Sequence, residues 1–134
     1  MKTSLFSTSI MKQILTLLVV FFAYTAYSQN TEALISGLKN GSAAAVAKHF
    51  EANIELTLGK NSSAYSKQQA EAVLRNYFTK NSVKGFELKH QGTSPEGSKY
   101  LVGTLQTANG NFNTYAYGKA ANGMFLVREL RIEE

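Results

Sequence analysis

Hydrophobic positions recur at helical spacing in the first half of the chain and at every second residue in the last half. Leu34, Ile35 and Leu38 share one face of a short predicted helix over 31–41, which Gly41 stops. Ser42 caps a second, 42–50, where three alanines supply helix propensity and Val46, His49 and Phe50 make a narrow stripe. Both are too short to persist alone, so both must lean on something else. Residues 53–58 alternate strictly, Ile54, Leu56 and Leu58 against Asn53, Glu55 and Thr57, which is the pattern of a half-buried strand. Residues 59–64 read as a loop.

The strongest helix signal follows. Ser66 is an N-cap with Gln69 three residues on, a capping box, and Tyr65 is placed to staple against Ala70. Ala70, Val73, Leu74, Tyr77 and Phe78 then fall at helical spacing, predicting a helix over 66–80. Beyond it only alternation remains: Phe86, Leu88 and His90, a turn at 93–97, and runs at 98–108, 111–121 and 124–133 separated by Asn109-Gly110 and Asn122-Gly123. Asn-Gly favours two-residue type I′ turns, because both turn positions need positive φ. The expected order is α-α-β-α-β-β-β-β, an α+β fold in which a curved antiparallel sheet wraps around helices.

Two tight turns fix which residues share a face. Tyr100, Val102, Thr104 and Gln106 fall with Asn113, Tyr115, Tyr117 and Lys119, and with Leu126, Arg128, Leu130 and Ile132. This face carries the larger aromatic and aliphatic load and meets Phe86, Leu88 and His90, with His90 opposite Tyr100, so it is expected to face the helices. Arg128 then points inward opposite Tyr117. A guanidinium is rarely buried unpaired, which predicts a wet, ligand-accepting cavity. The candidate ligand-binding residues are therefore Tyr100, Tyr115, Tyr117, Arg128 and His90, suited to a carboxylate-bearing small molecule gripped by the guanidinium and stacked on a ring. The opposite face, with Leu101, Leu105, Phe112, Phe125 and Val127, is expected to lie outside, where it could pair two copies in a homodimer.

The start of the chain reads differently. Lys2 and Lys12 precede the apolar run 14–23, and Ala26 and Ser28 flank Tyr27 in the pattern that signal peptidase accepts, so 1–28 read as a signal peptide cut before Gln29. Met11 is an alternative start. The run is shorter than the about 20 residues of a spanning helix, so no membrane insertion is expected after its removal. The remaining 29–134 suit one domain, exported to the periplasm or secreted. Without Lys2 and Lys12 the basic residues fall from 14 to 12 against nine acids, and the charge falls from +5 to +3. The lysines are scattered singly, which argues against a nucleic-acid partner.

No cysteine is present, which excludes disulfides and thiolate metal sites. His49 and His90 lack inward acids to complete a metal site, and no cofactor is implied. All nine acids are glutamates, and Glu55, Glu129 and Glu133 fall on faces predicted to point away from the helices. A carboxylate base facing an oxyanion donor is therefore missing, and no enzyme activity is expected.

The order of elements, with "LISGLKNGSAAAVAKHF", "IELTLGK", "YSKQQAEAVLRNYF", "KHQGTSPEGSKYLVGTL" and "LRIEE", resembles the nuclear transport factor 2-like cone, also described as cystatin-like. More narrowly it resembles a family of short exported bacterial proteins catalogued as a domain of unknown function. The resemblance covers nearly all of 31–134 and implies the fold. The cone hosts isomerases, dehydratases, transport factors and binding modules, so activity does not follow from it. The expectation is an exported, non-enzymatic domain that binds a small ligand or a protein partner in the cone cavity. A cavity-using enzyme of the isomerase or dehydratase type and a self-associating structural module are the alternatives.

Overall fold

The computed structural model describes residues 8–134, with side chains for 9–16 and 31–134. Lys2 and the side chains of the cleavage motif at 26–28 lie outside the described residues. The first helix, α1 (Thr8–Lys39), is longer than the predicted 31–41, although Leu34 and Leu38 are fully buried and Gly41 turns the chain at φ 64° as expected. No described helix is long and apolar enough to cross a membrane.

Helix α2 (Ala43–Ala47) is capped by Ser42, whose hydroxyl accepts the Ala45 amide at 3.2 Å. It stops five residues in, so His49 sits in a turn and Phe50 opens strand β1 (Phe50–Leu58) rather than closing the helix. The backbone of this segment is claimed by the sheet: Phe50 pairs with Val127, and the Val127 amide donates to the His49 carbonyl. Strand β2 (Asn61–Ser66) replaces the predicted loop. Its sequence NSSAYS has no buried residue and hence no alternation to read. Main-chain pairing with β1 holds it, aided by the Thr57 hydroxyl donating to Ser62 at 2.9 Å.

Helix α3 (Lys67–Asn81) keeps its capping box, with Ser66 and Gln69 satisfying each other's amides. Ala70, Leu74 and Phe78 are buried against the sheet, each large side chain contributing about 2 kcal/mol. Ser82, in the left-handed region at φ 41°, ends it. Strands β3 (Val83–Thr93), β4 (Ser98–Thr107), β5 (Gly110–Ala121) and β6 (Met124–Glu133) complete a six-stranded sheet ordered β2-β1-β6-β5-β4-β3. Only the β1–β6 pair is parallel.

The two Asn-Gly pairs behave differently. Asn122 and Gly123 both take positive φ and set Ala121 opposite Met124, as predicted. Asn109 does not. The β4–β5 loop is Ala108-Asn109, with Thr107 opposite Gly110, because the Asn109 side chain reaches the end of α3, donating to the Lys80 carbonyl at 3.3 Å and to Asn81 Oδ1 at 3.0 Å. A shift of one position in a two-residue loop changes the pairing sum by two and leaves the shared faces of β4 and β5 intact.

The β5–β6 ladder contains one irregularity. Gly118 pairs with Val127 but Tyr117 pairs with Glu129, so Arg128 is an additional residue. Leu130 and Ile132 thereby move to the side of Phe125 and Val127. That side is the core: Leu101, Leu105, Phe112, Phe125 and Val127 are buried with the helix residues, so the face expected to pair two copies is the one the helices cover. A second irregularity, between Leu88 and His90, keeps Phe86 in the core and turns His90 out, opposite Val102 rather than Tyr100.

Gly118 is required at the β5–β6 irregularity, since a Cβ there would stand 1.8 Å from the Leu126 carbonyl oxygen. Backbone cannot yield as a side-chain end can. Gly118→Ala should lower unfolding free energy by about 3 kcal/mol in urea titration, whereas a loss below about 0.5 kcal/mol would mean the strands are not so closely apposed.

Candidate functional site

The residues predicted to bind a ligand lie outside the cavity. Tyr100 is exposed on the outer face of the sheet, its ring over Gly92, where a Cβ would meet it at 2.6 Å. Tyr117 lies opposite Tyr100 and Tyr115 opposite Val102. The Tyr115 and Tyr117 rings stack at 6.4 Å with 7° between planes, and the Tyr117 hydroxyl donates to Ser98 Oγ at 3.3 Å. Burial, then Glu129 and Tyr117, push the Tyr115 phenol above its ordinary pKa. His90 is exposed on the same face, two strands from Tyr115. Four of the five are thus brought together, but on the side away from the helices.

Arg128 does not join them, and its inward placement is corrected. As the additional residue of β6 it is exposed, with Nε 3.2 Å from Glu51 Oε2, while Lys119 Nζ lies 3.5 Å from the other oxygen of the same carboxylate. Such an exposed cluster contributes little to stability. Its inward position depended on unbroken alternation along β6, which the irregularity interrupts.

The cavity the fold does contain opens at the other edge of the helix layer. A cleft of about 480 Å³ lies between the second half of α3, the end of β1 with its Gly59-Lys60 turn, and the first residues of β5. Leu56, Tyr65, Val73, Tyr77 and Phe112 form its apolar wall, and the Tyr77 and Phe112 rings meet at 6.2 Å, tilted by 50°. Lys60, Lys80, Asn61, Asn76 and Glu134 supply polar groups, and Asn81, also on the lining, has both side-chain ends engaged, by the Tyr77 carbonyl and Asn109. Burial first, then the Glu134 carboxylate, push the Tyr77 phenol above its ordinary pKa. Sequence reasoning missed this cleft because its residues come from four separate segments. Only Val73 and Tyr77, one helical turn apart on the side of α3 beside its buried stripe, hinted at it.

The opposite end of the helix layer is sealed around two buried basic side chains. Lys99 alternates with Tyr100 and so points inward, donating from Nζ to Thr31 Oγ1 at 2.7 Å and lying 5.3 Å from the centre of the Phe125 ring. Burial lowers its pKa. His49 is 5% exposed, and its Nδ1 has no hydrogen-bond partner. Burial holds the imidazole below the ordinary value of 6.5, opposed by a hydrogen bond to the Phe125 backbone and reinforced by Lys67, Lys48 and Lys99. Among the described residues no three His, Cys, Asp or Glu side chains gather as a metal would need.

A six-stranded sheet bent by irregularities, three helices on one face and a cleft at one end define the nuclear transport factor 2-like class of α+β domain. The chain belongs to the family described as Domain of unknown function (DUF4783), which matches residues 31–133. It is similar to the crystal structure of a DUF4783 family protein from Bacteroides ovatus ATCC 8483, with 33% identity and a TM-score of 0.71 over 76% of this chain and 92% of that one. A DUF4783 family protein from Bacteroides fragilis YCH46 gives 27% identity and 0.71 over 76% and 95%. A protein named Rd1NTF2_05, at 13% identity, shares the fold alone, with a TM-score of 0.61 over 75% of this chain and 90% of that one. No curated protein matches the sequence.

The sealed end carries a pH dependence. Because the folded state holds His49 below 6.5, the unfolded chain takes up the proton first, so stability is full above 6.5 and falls as pH drops below it. Thermal midpoints should decline as pH falls below about 6.5, and His49→Gln should flatten that slope. An equal slope in the variant would assign the dependence to other groups.

Proposed function

We propose that the domain is an exported, non-enzymatic binding module whose ligand site is the cleft between α3 and the β1–β2 turn. The observation that carries this reading is a preformed recess of about 480 Å³ in which an aromatic and aliphatic wall faces a few hydrogen-bonding groups. Recesses of that size and make-up suit small molecules. The Tyr65 and Tyr77 hydroxyls line it with no hydrogen-bond partner among the described residues, so they are available to an incoming acceptor. The one acidic side chain on its lining, Glu134, belongs to an exposed residue that stays open to water rather than enclosed with a bound molecule. Export is supported by Lys12, the apolar run and the Ala26–Ser28 motif, and by a family match that begins at residue 31, just beyond the proposed cut.

Two measurements test the reading. Amide and aromatic NMR shifts recorded with a panel of neutral, acidic and basic fragments should move at Tyr65, Val73, Tyr77 and Phe112. Shifts gathered instead at Tyr100, Tyr115 and Tyr117 would transfer binding to the outer face and overturn it. For export, the full chain expressed in a bacterium with a functioning secretion system should yield a periplasmic product beginning at Gln29, whereas a product that keeps its initiating methionine in the cytoplasm would refute it.

A further inference from the structure

The lining of the cleft is lopsided in its chemistry. Lys60 enters from the strand wall and Lys80 from the last turn of α3, and neither ammonium has an ion pair among the described residues. Two more donors, the Tyr65 and Tyr77 hydroxyls, are equally without partners. Against these four stands one charged acceptor, Glu134. Its carboxylate lies close enough to Tyr77 to add to burial in raising the phenol's pKa. The remaining lining is the hydrocarbon of Leu56, Val73 and Phe112 and the two tyrosine rings.

A neutral hydrogen-bonding ligand would leave the two ammonium groups of the lining without a counter-ion. A cation would meet two lysine side chains for one acidic one. An anion with an apolar body satisfies both halves: its oxygens accept from Lys60, Lys80 and a tyrosine hydroxyl, and its body covers the ring pair of Tyr77 and Phe112. Resting on the reading of the cleft as the binding site, we propose that its ligand is an amphiphilic carboxylate, an acid with an aromatic or branched hydrocarbon body. Lys60 and Lys80 hold the carboxylate, and Glu134 works against it, setting an upper limit on affinity and repelling ligands with a second negative charge.

The signs of these contributions make the assignment testable with three probes of one shape: 1-naphthylacetate, the neutral 1-naphthylacetamide and the cationic 2-(1-naphthyl)ethylamine. In calorimetric titration of the full chain, the acid should bind about tenfold more tightly than the amide, the loss expected for one charge-assisted hydrogen bond, and the amine should bind most weakly. Replacing both lysines, Lys60→Gln with Lys80→Gln, should weaken the acid about tenfold and leave the amide unchanged. Glu134→Gln should tighten the acid about threefold, an effect that fades in high salt. All three residues are exposed, so the variants should keep the parent thermal midpoint. An amide or amine that binds as well as the acid, or lysine variants that leave the acid unaffected, would overturn the ligand class while the cleft stands as a binding site. If no probe binds yet the fragment panel still maps to the cleft, the class alone falls; if neither binds there, the class and the reading beneath it fall together.

Discussion

Successive residues of an extended strand point to opposite faces, and everything about this domain depends on where that alternation is interrupted. The outer face of β4 and β5 carries Tyr100, Tyr115 and Tyr117, and the inner face carries Leu101, Leu105 and Ala116. In β6 an unbroken alternation starting from buried Phe125 and Val127 would put Glu129, Arg131 and Glu133 in the core and Leu130 and Ile132 in solvent. Arg128 prevents this. Inserted between two ladder partners, it lets Phe125 and Val127 before it and Leu130 and Ile132 after it all reach the helices. A guanidinium is well suited to the position because the inserted residue faces solvent, where Glu51 meets it. The same insertion bends the strand, and bending is what lets one sheet partly enclose three helices.

The sequence carried the local information well and the non-local information poorly. Helix α3 was legible because its cap, its apolar spacing and its burial all agree within fifteen residues. The division of β4 and β5 into two faces was legible too, and it survived a misplaced turn because the error was an even number of residues. The choice of which face turns inward was not legible. Tyrosines look like core material on a count of apolar atoms, yet a tyrosine lying flat on a sheet covers neighbouring backbone and keeps its hydroxyl wet, as Tyr100 does over Gly92 and Tyr117 does with Ser98. Strand β2 was invisible for a different reason. An edge strand whose first four residues are all exposed is held mainly by main-chain partners, which leave no trace in side-chain pattern.

Inward Lys99 shows how the same parity rule places charge. Its neighbours Leu101 and Leu105 are among the most buried residues of the chain, and a lysine at the head of that row would ordinarily be a defect. Here it stands at the end of β4, where Thr31 Oγ1 accepts its hydrogen bond and Phe125 presents a ring face. The contact ties α1 to the sheet across 68 residues of sequence. With His49 neutral alongside, this end of the helix layer is held by polar contacts in a nearly dry setting, and such contacts are strongly directional.

The two ends of the helix layer therefore differ in kind. At the sealed end, Lys99 and His49 are enclosed by elements that close on them, and each has lost water it would otherwise keep. At the other end, Asn81 and Asn109 bind the last turn of α3 to the β4–β5 loop, holding that turn at a distance set by hydrogen bonds rather than by side-chain volume. Because the asparagine contacts fix the rim, the rings can form a wall without filling the space they face, and the cleft persists with Lys60 and Lys80 at its margin. A cavity kept open by satisfied polar contacts at its rim loses little stability by being empty, which is the condition under which a binding site can exist before its ligand arrives.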